Sequence, residues 1–214
     1  MTEAEWLKCG ELSQLFDSLG RLASARKTRL FGCAAVGWCW SWGLEEPTPE
    51  AVRIAEAYAD RSTTAKQLRH ASAEMQQLRS DIEEHWRPFP RMCELTALLC
   101  STTEYRLLPD ELDAYASDMH IQEVPEWLKI SDFARDIFGN PFRPVTFAPA
   151  WRTTDVTLLA RGIYVDRAFD RMPILADALQ DAGCEDEQIL GHCRDRGQVH
   201  VRGCWVVDLV LGKE

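Results

Sequence analysis

The chain has 214 residues, of which 46% are hydrophobic and 27% charged, and its formal net charge is −10. That balance belongs to a folded globular protein and excludes a disordered tail or a fibre. The excess of carboxylates weighs against sequence-independent nucleic-acid binding, which draws its affinity from Lys and Arg neutralising phosphates.

Thr2 and Glu5 have the spacing of a capping box and predict a short helix, interrupted at Gly10. A second helix is predicted from Glu11 to about Leu19, with Gly20 as its left-handed end. From Ser24 to Trp42 the apolar positions Leu30, Ala34, Trp38 and Trp42 fall four apart, and Phe31, Ala35, Cys39 and Trp40 widen the stripe. Little of that surface is polar, so this helix is expected to be central and nearly surrounded, ending at Gly43. Arg21, Arg26, Lys27 and Arg29 make the best local basic patch, read as a solvated helix face in preference to a phosphate site.

The EEPTPE stretch reads as a loop whose Thr48 and Pro49 suit the cap and first turn of the next helix. Ala51 to Asp60 places Val52, Ala55 and Ala59 on one face, and Thr64 to Trp86 does the same with Leu68, Ala71, Met75, Leu78 and Ile82. Arg87 to Pro90 breaks that run, because proline lacks the amide a helix needs. Helices follow at Met92 to Cys100, at Pro109 to Met119, and at Pro125 to Phe138 with Trp127, Leu128, Phe133 and Ile137 inward.

Gly139 to Trp151 contains Pro141, Pro144 and Pro149 among Phe142, Val145, Phe147 and Trp151, which predicts an extended loop pinned by its aromatics. Three more helices are expected at Asp155 to Phe169, Met172 to Ala182 and Glu185 to Arg194. Their core positions read as Leu158, Leu159, Ile163, Leu175, Leu179, Ile189 and Leu190. Val199 to Leu211 is rich enough in β-branched residues for a strand, but no partner strand is evident, and the reading is a helix from about Gly203. No segment repeats at a solenoid period. The expected fold is all-α, an irregular multi-helix bundle of antiparallel helical hairpins divided near residue 120 into regions 1–120 and 121–214, unless the two are continuous.

Eight cysteines invite a disulfide framework. The start MTEAEWLKCG nevertheless shows no basic stretch followed by an apolar one, and no apolar run reaches membrane-spanning length. The expectation is therefore a cytoplasmic protein with reduced thiols and no membrane segment.

The densest chemistry lies near the C-terminus, where Cys184, His192, Cys193, His200 and Cys204 crowd together. Cys184, Cys193, His200 and Cys204 could supply the four borderline donors of a zinc tetrahedron, although the chain has no C-x-x-C knuckle. The competing reading makes the thiols small buried hydrophobes and bonds the histidines to backbone in a turn. Cys193 beside His192 and near Asp195 is a candidate nucleophile, weakened because neighbours on a helix rarely face each other. Trp38, Trp40 and Trp42 with Phe31, Cys33 and Cys39 could line a flat-cofactor pocket but read more simply as core. The pairs Glu83 with Glu84 and Asp110 with Glu111 diverge on a helix and read as solvated faces, and no phosphate-binding glycine loop occurs.

Several stretches resemble an uncharacterised family of bacterial proteins numerous in planctomycetes: MTEAEWLKC at the start, ASARKTRLFGCAA, AVRIAEAYADR, RDIFGNPFRPV, RAFDRMPILADALQDAGC and LGHCRDRGQVHVRGCWVVDLVLGKE. The resemblance covers about half the chain and implies no reaction, cofactor or partner. Two functional expectations follow. One is a non-enzymatic helical module that docks another protein on a concave face. The other is a metalloprotein or enzyme built on the GNPFRP loop and the C-terminal cluster, with Asn140, Arg143 and His192 as loop and cluster candidates and zinc as its cofactor. In that case Arg143, His192, His200 and Cys204 converge in space.

Overall fold

Three of the helices start at a capping Ser, Thr or Asp side chain, and the helices pack through stripes of apolar residues. The computed structural model describes residues 1–43, 50–81, 89–102, 106, 108–118 and 130–213. Among these the chain is all-α, with twelve α-helices and no strand. It divides into two compact units, Glu3–Ser131 and Asp132–Glu214. The expected division near residue 120 falls outside the described residues.

In the first unit the helices are α1 (Glu3–Trp6), α2 (Leu12–Leu19), α3 (Ala25–Gly43), α4 (Glu50–Ala59), α5 (Ala65–Asp81), α6 (Phe89–Leu99) and α7 (Leu108–Asp118). Consecutive helices fold back on one another, α3 on α4, α4 on α5 and α5 on α6, and α6 returns to α3. Ser24 accepts a hydrogen bond from the amide of Lys27 and so caps α3, whose Leu30, Phe31 and Ala35 are fully buried as expected, with Val36, while Ala34 and Trp38 of the expected stripe are half-buried. The N-terminus of α2 is capped from a distance, because Asp113 of α7 accepts from the amides of Leu12 and Ser13 at 3.2 and 3.0 Å.

The basic patch is not one solvated face: Arg21 is exposed, but two of its members are engaged within the fold. Arg29 is buried and donates to the carbonyls of Leu99 and Ser101 at the end of α6, and Arg26 pairs with Asp60 at 3.2 Å. Phe31 packs on Phe16 with ring centroids 5.0 Å apart, and Cys33 is buried, so these two are core. The side chains of Cys39, Trp40 and Trp42, residues 45–49 of the EEPTPE loop, Arg87 and Pro88 of the expected break, and Trp127 with Leu128 lie outside the described residues, whereas Phe89 and Pro90 open α6.

The second unit holds α8 (Ile130–Phe138) from Asp132 onward, an extended segment, a short 3-10 turn at Pro149–Trp151, then α9 (Thr154–Asp166), α10 (Met172–Asp181), α11 (Glu187–Arg194) and α12 (Trp205–Leu211). Thr153 caps α9, and Asp186 caps α11 by accepting from the amides of Gln188 and Ile189. Val156, Ala160 and Ile163 of α9 meet Leu175 and Leu179 of α10, Ile189 and Cys193 of α11, and Val206, Val207 and Val210 of α12 in one core. Phe147 and Trp151 pin the proline-rich segment to that core.

Two residues expected on apolar faces are exposed, Leu78 of α5 and Leu158 of α9. Leu158 is 59% exposed. The buried stripe of α9 runs through Val156, Ala160 and Ile163, and Leu158 stands about 200° round the helix from Val156. The helix expected from Gly203 is present as α12, so the β-branched run forms no strand. The seven described cysteines are all unbridged. Among the described residues, no helix is long and apolar enough to cross a membrane.

Candidate metal centre

α8 carries an acid on its apolar stripe. Phe133, Ala134 and Ile137 are buried, and Asp136 is buried with them. A carboxylate out of water needs compensating donors, and Asp136 has three. Its Oδ2 accepts from the amide of Val201 at 2.8 Å, while Oδ1 lies 2.8 Å from His200 Nδ1 and 3.1 Å from His192 Nε2. Burial alone would push this carboxyl up. The hydrogen bonds and charges of His192 and His200 more than offset that and hold it below the ordinary carboxylate value.

The fourth member is Cys204, fully buried at the start of α12. Its Sγ is 3.2 Å from His192 Nε2 and 4.0 Å from His200 Nδ1. Burial, and after it the charge of Asp136, pushes this thiol well above the ordinary cysteine value. One ligand atom from each of Asp136, His192, His200 and Cys204 lies within 4.8 Å of every other.

The arrangement is convergent. In a Cys–His–Asp relay the acid holds one ring nitrogen and the thiol faces the other. Here both Asp136 and Cys204 approach the same Nε2 of His192, and both approach the same Nδ1 of His200. A single proton on Nε2 cannot serve an oxygen at 3.1 Å and a sulfur at 3.2 Å with two good bonds. A cation at the common point would satisfy all four groups.

The dimensions fit zinc. Bonds of about 2.0–2.1 Å to nitrogen and oxygen and about 2.3 Å to sulfur give tetrahedral edges of roughly 3.3–3.6 Å. Of the six edges, the four given above are 2.8, 3.1 and 3.2 Å, shorter than those lengths, and 4.0 Å, longer, with every pair inside 4.8 Å, so the donors are near tetrahedral spacing and would have to shift to hold an ion. The second oxygen of Asp136 is already occupied by Val201, which leaves Oδ1 as a single directed ligand.

Of the four donors expected from sequence, the structure brings together His200 and Cys204 and replaces the other two. Cys193 follows His192 on α11, and successive side chains on a helix diverge by about 100°. His192 therefore faces the centre while Cys193 joins Ile189 in the core, where burial pushes its thiol up to about 12. Burial in the core also counts against Cys193 as a nucleophile. Cys184 is buried just past Gly183, whose φ of +86° lets the Cys184 amide reach back to the carbonyl of Leu179. Neither thiol belongs to the convergent group.

Asn140 and Arg143 stand outside it too. The Asn140 side chain accepts from the Phe142 amide at 2.9 Å and its carbonyl accepts from the Arg143 amide, so Asn140 builds the turn after α8, and the Arg143 side chain is exposed. Asp136 is the residue that sequence reasoning missed. Its signal was a charge on the stripe defined by Phe133 and Ile137. No family model, no curated protein and no solved structure matches the chain. The fold and the centre thus define a class only, an all-α protein with a buried Asp–His–His–Cys constellation.

Proposed function

We propose that the second unit is a metal-binding helical module in which one zinc-type divalent ion, held by Asp136, His192, His200 and Cys204, ties α8 to α11 and to the start of α12. The observation that carries this reading is the convergence of those four donors on one buried point. A carboxylate, two imidazoles and a thiolate are the donor types that zinc takes, and four of them fill a tetrahedron. With no position left for water or substrate, the ion's role is to stabilise the unit, and the chain falls with non-enzymatic modules.

The ion supplies charge that keeps the Cys204 sulfur deprotonated and neutralises the crowding of Asp136 with that thiolate. The chain's own residues do the rest. Val201 aims the carboxylate, and the Asp186 cap starts the helix that carries His192. Two earlier expectations belong to the same proposal: a reducing, cytoplasmic setting in which the thiol stays available, and membership of the planctomycete family. RDIFGNPFRPV and LGHCRDRGQVHVRGCW, two of the stretches that carry the resemblance, contain all four donors.

Elemental analysis of protein purified from zinc-supplemented cells tests it. The expected result is about one zinc per chain for wild type, Cys184→Ser and Cys193→Ser, and loss of zinc in His192→Ala and Cys204→Ala. Full zinc content in the last two variants would contradict the assignment.

A further inference from the structure

We propose that Trp205 is the positioning residue of this centre, fixing the imidazole of His192 for coordination while its own indole is seated against Gly139. The inference rests on the metal-binding reading above. Trp205 follows the donor Cys204 and opens α12. Its ring centroid lies 5.1 Å from that of His192, tilted by 54°, and His200 flanks the same imidazole at 4.9 Å.

The seat is specific. A Cβ built on Gly139 would lie 3.3 Å from Cγ of Trp205 and 3.4 Å from Cδ2, so the indole rests against bare backbone. Gly139 also has φ +71° and its amide closes α8 on the carbonyl of Arg135. One ring thereby touches or adjoins the segments that carry three of the four donors. Cys204 is its chain neighbour, His192 packs tilted against its ring, and Gly139 ends the helix that holds Asp136.

A coordinating histidine is ordinarily oriented by a hydrogen bond from its other ring nitrogen. Among the described residues, the polar contacts of His192 all run through Nε2, toward Asp136 and Cys204. Rotation of the ring is therefore restrained by packing, with the indole on one contact and His200 on another. This gives a joint role to two motifs that stand far apart in sequence, since the glycine of GNPFRP and the tryptophan of HVRGCW meet at the centre.

Metal-stripped full-length wild type, Trp205→Phe, Trp205→Ala and Gly139→Ala, titrated with Co2+ and followed by its visible ligand-field bands, test the role. Trp205→Phe keeps a ring on His192 and is expected to match the wild-type bands, with affinity within about threefold. Trp205→Ala removes the restraint, and Gly139→Ala crowds the indole by a few tenths of an ångström while straining a backbone at φ +71°. Both are expected to bind about 10- to 100-fold more weakly, with shifted bands. Wild-type affinity and bands in both variants would overturn the proposal while leaving the metal reading intact. A wild type that develops no bands would overturn both. Circular dichroism of the metal-free proteins identifies a variant that has unfolded, and if Trp205→Ala does so, Gly139→Ala decides.

Discussion

Replacing Asp136 by Asn keeps the shape of the side chain and removes its charge, which makes it the sharpest perturbation of the centre. An amide has one accepting and one donating end. If its oxygen stays on Val201, the NH2 group meets His192 and His200; if it turns, the NH2 group opposes the Val201 amide. In either orientation the charge-assisted bonds to the carboxylate are lost, and the NH2 group either needs His192 or His200 in the tautomer that accepts or faces another donor, at a cost of about 1–3 kcal/mol in the metal-free protein. Relief from burying a charge acts in the opposite direction. It does not win, because the carboxyl is held below its ordinary value, so its bonds already outweigh its burial. Urea unfolding followed by circular dichroism, with and without zinc, measures both consequences. At zinc 100-fold above Kd the wild type gains about 2.7 kcal/mol, whereas Asp136→Asn, short of one donor, is expected to gain less than about 1 kcal/mol. Metal-free stability within about 0.5 kcal/mol of wild type, together with an equal zinc gain, would refute the reasoning.

Acid provides a second test with a definite sign. A carboxyl with a depressed folded value contributes stability that is full above the ordinary carboxylate value and is lost as pH falls through the depressed one. Metal-free wild type is therefore expected to lose stability below about pH 4 through this group, and Asp136→Asn to lack that part of the acid limb in urea midpoints measured against pH. Zinc, followed with a chelating dye, is expected to leave at higher pH than the unfolding transition, since protons compete with it for its donors. Thiol reactivity gives a third: burial pushes Cys93 up to about 11, Cys100 and Cys193 up to about 12, and Cys204 well up, while Cys9 is only half-buried. Iodoacetamide at pH 8 is expected to label Cys9 first among these, by mass spectrometry of tryptic peptides, and uniform labelling would contradict the burial. A fourth contrasts two residues of α9: Leu158→Ala is expected to cost under about 0.5 kcal/mol in urea unfolding and Ile163→Ala about 2–5 kcal/mol, and equal costs would restore Leu158 to the core.

Helices were legible wherever one stripe dominated. The four-residue spacing of α3 and the alternating threes and fours of α4 put Leu30, Val52, Ala55 and Ala59 in the core, where they are found. Ambiguity arose where apolar residues lay side by side. Leu158 and Leu159 offered two stripes to α9, and only the contacts of Val156 and Ala160 decide between them. The same difficulty exchanged His192 for Cys193, although Ile189 and Cys193, four apart, already mark the core side of α11. Asp136 was hidden differently. It lies 56 residues before His192 by number, so no local spacing links the two, and folding alone brings α8 against the turn at Val201. Trp205 and Gly139 were visible as motif residues, but their contact is a close approach between backbone and ring that no periodicity encodes.

X-ray absorption at the zinc edge of the loaded protein tests the central assignment most directly, because it counts sulfur ligands. The account predicts a first shell of one sulfur at about 2.3 Å and three nitrogen or oxygen neighbours at about 2.0–2.1 Å. Two or three sulfurs would return Cys184 or Cys193 to the ligand set, and a shell without sulfur would remove Cys204; either result contradicts a centre made of Asp136, His192, His200 and Cys204.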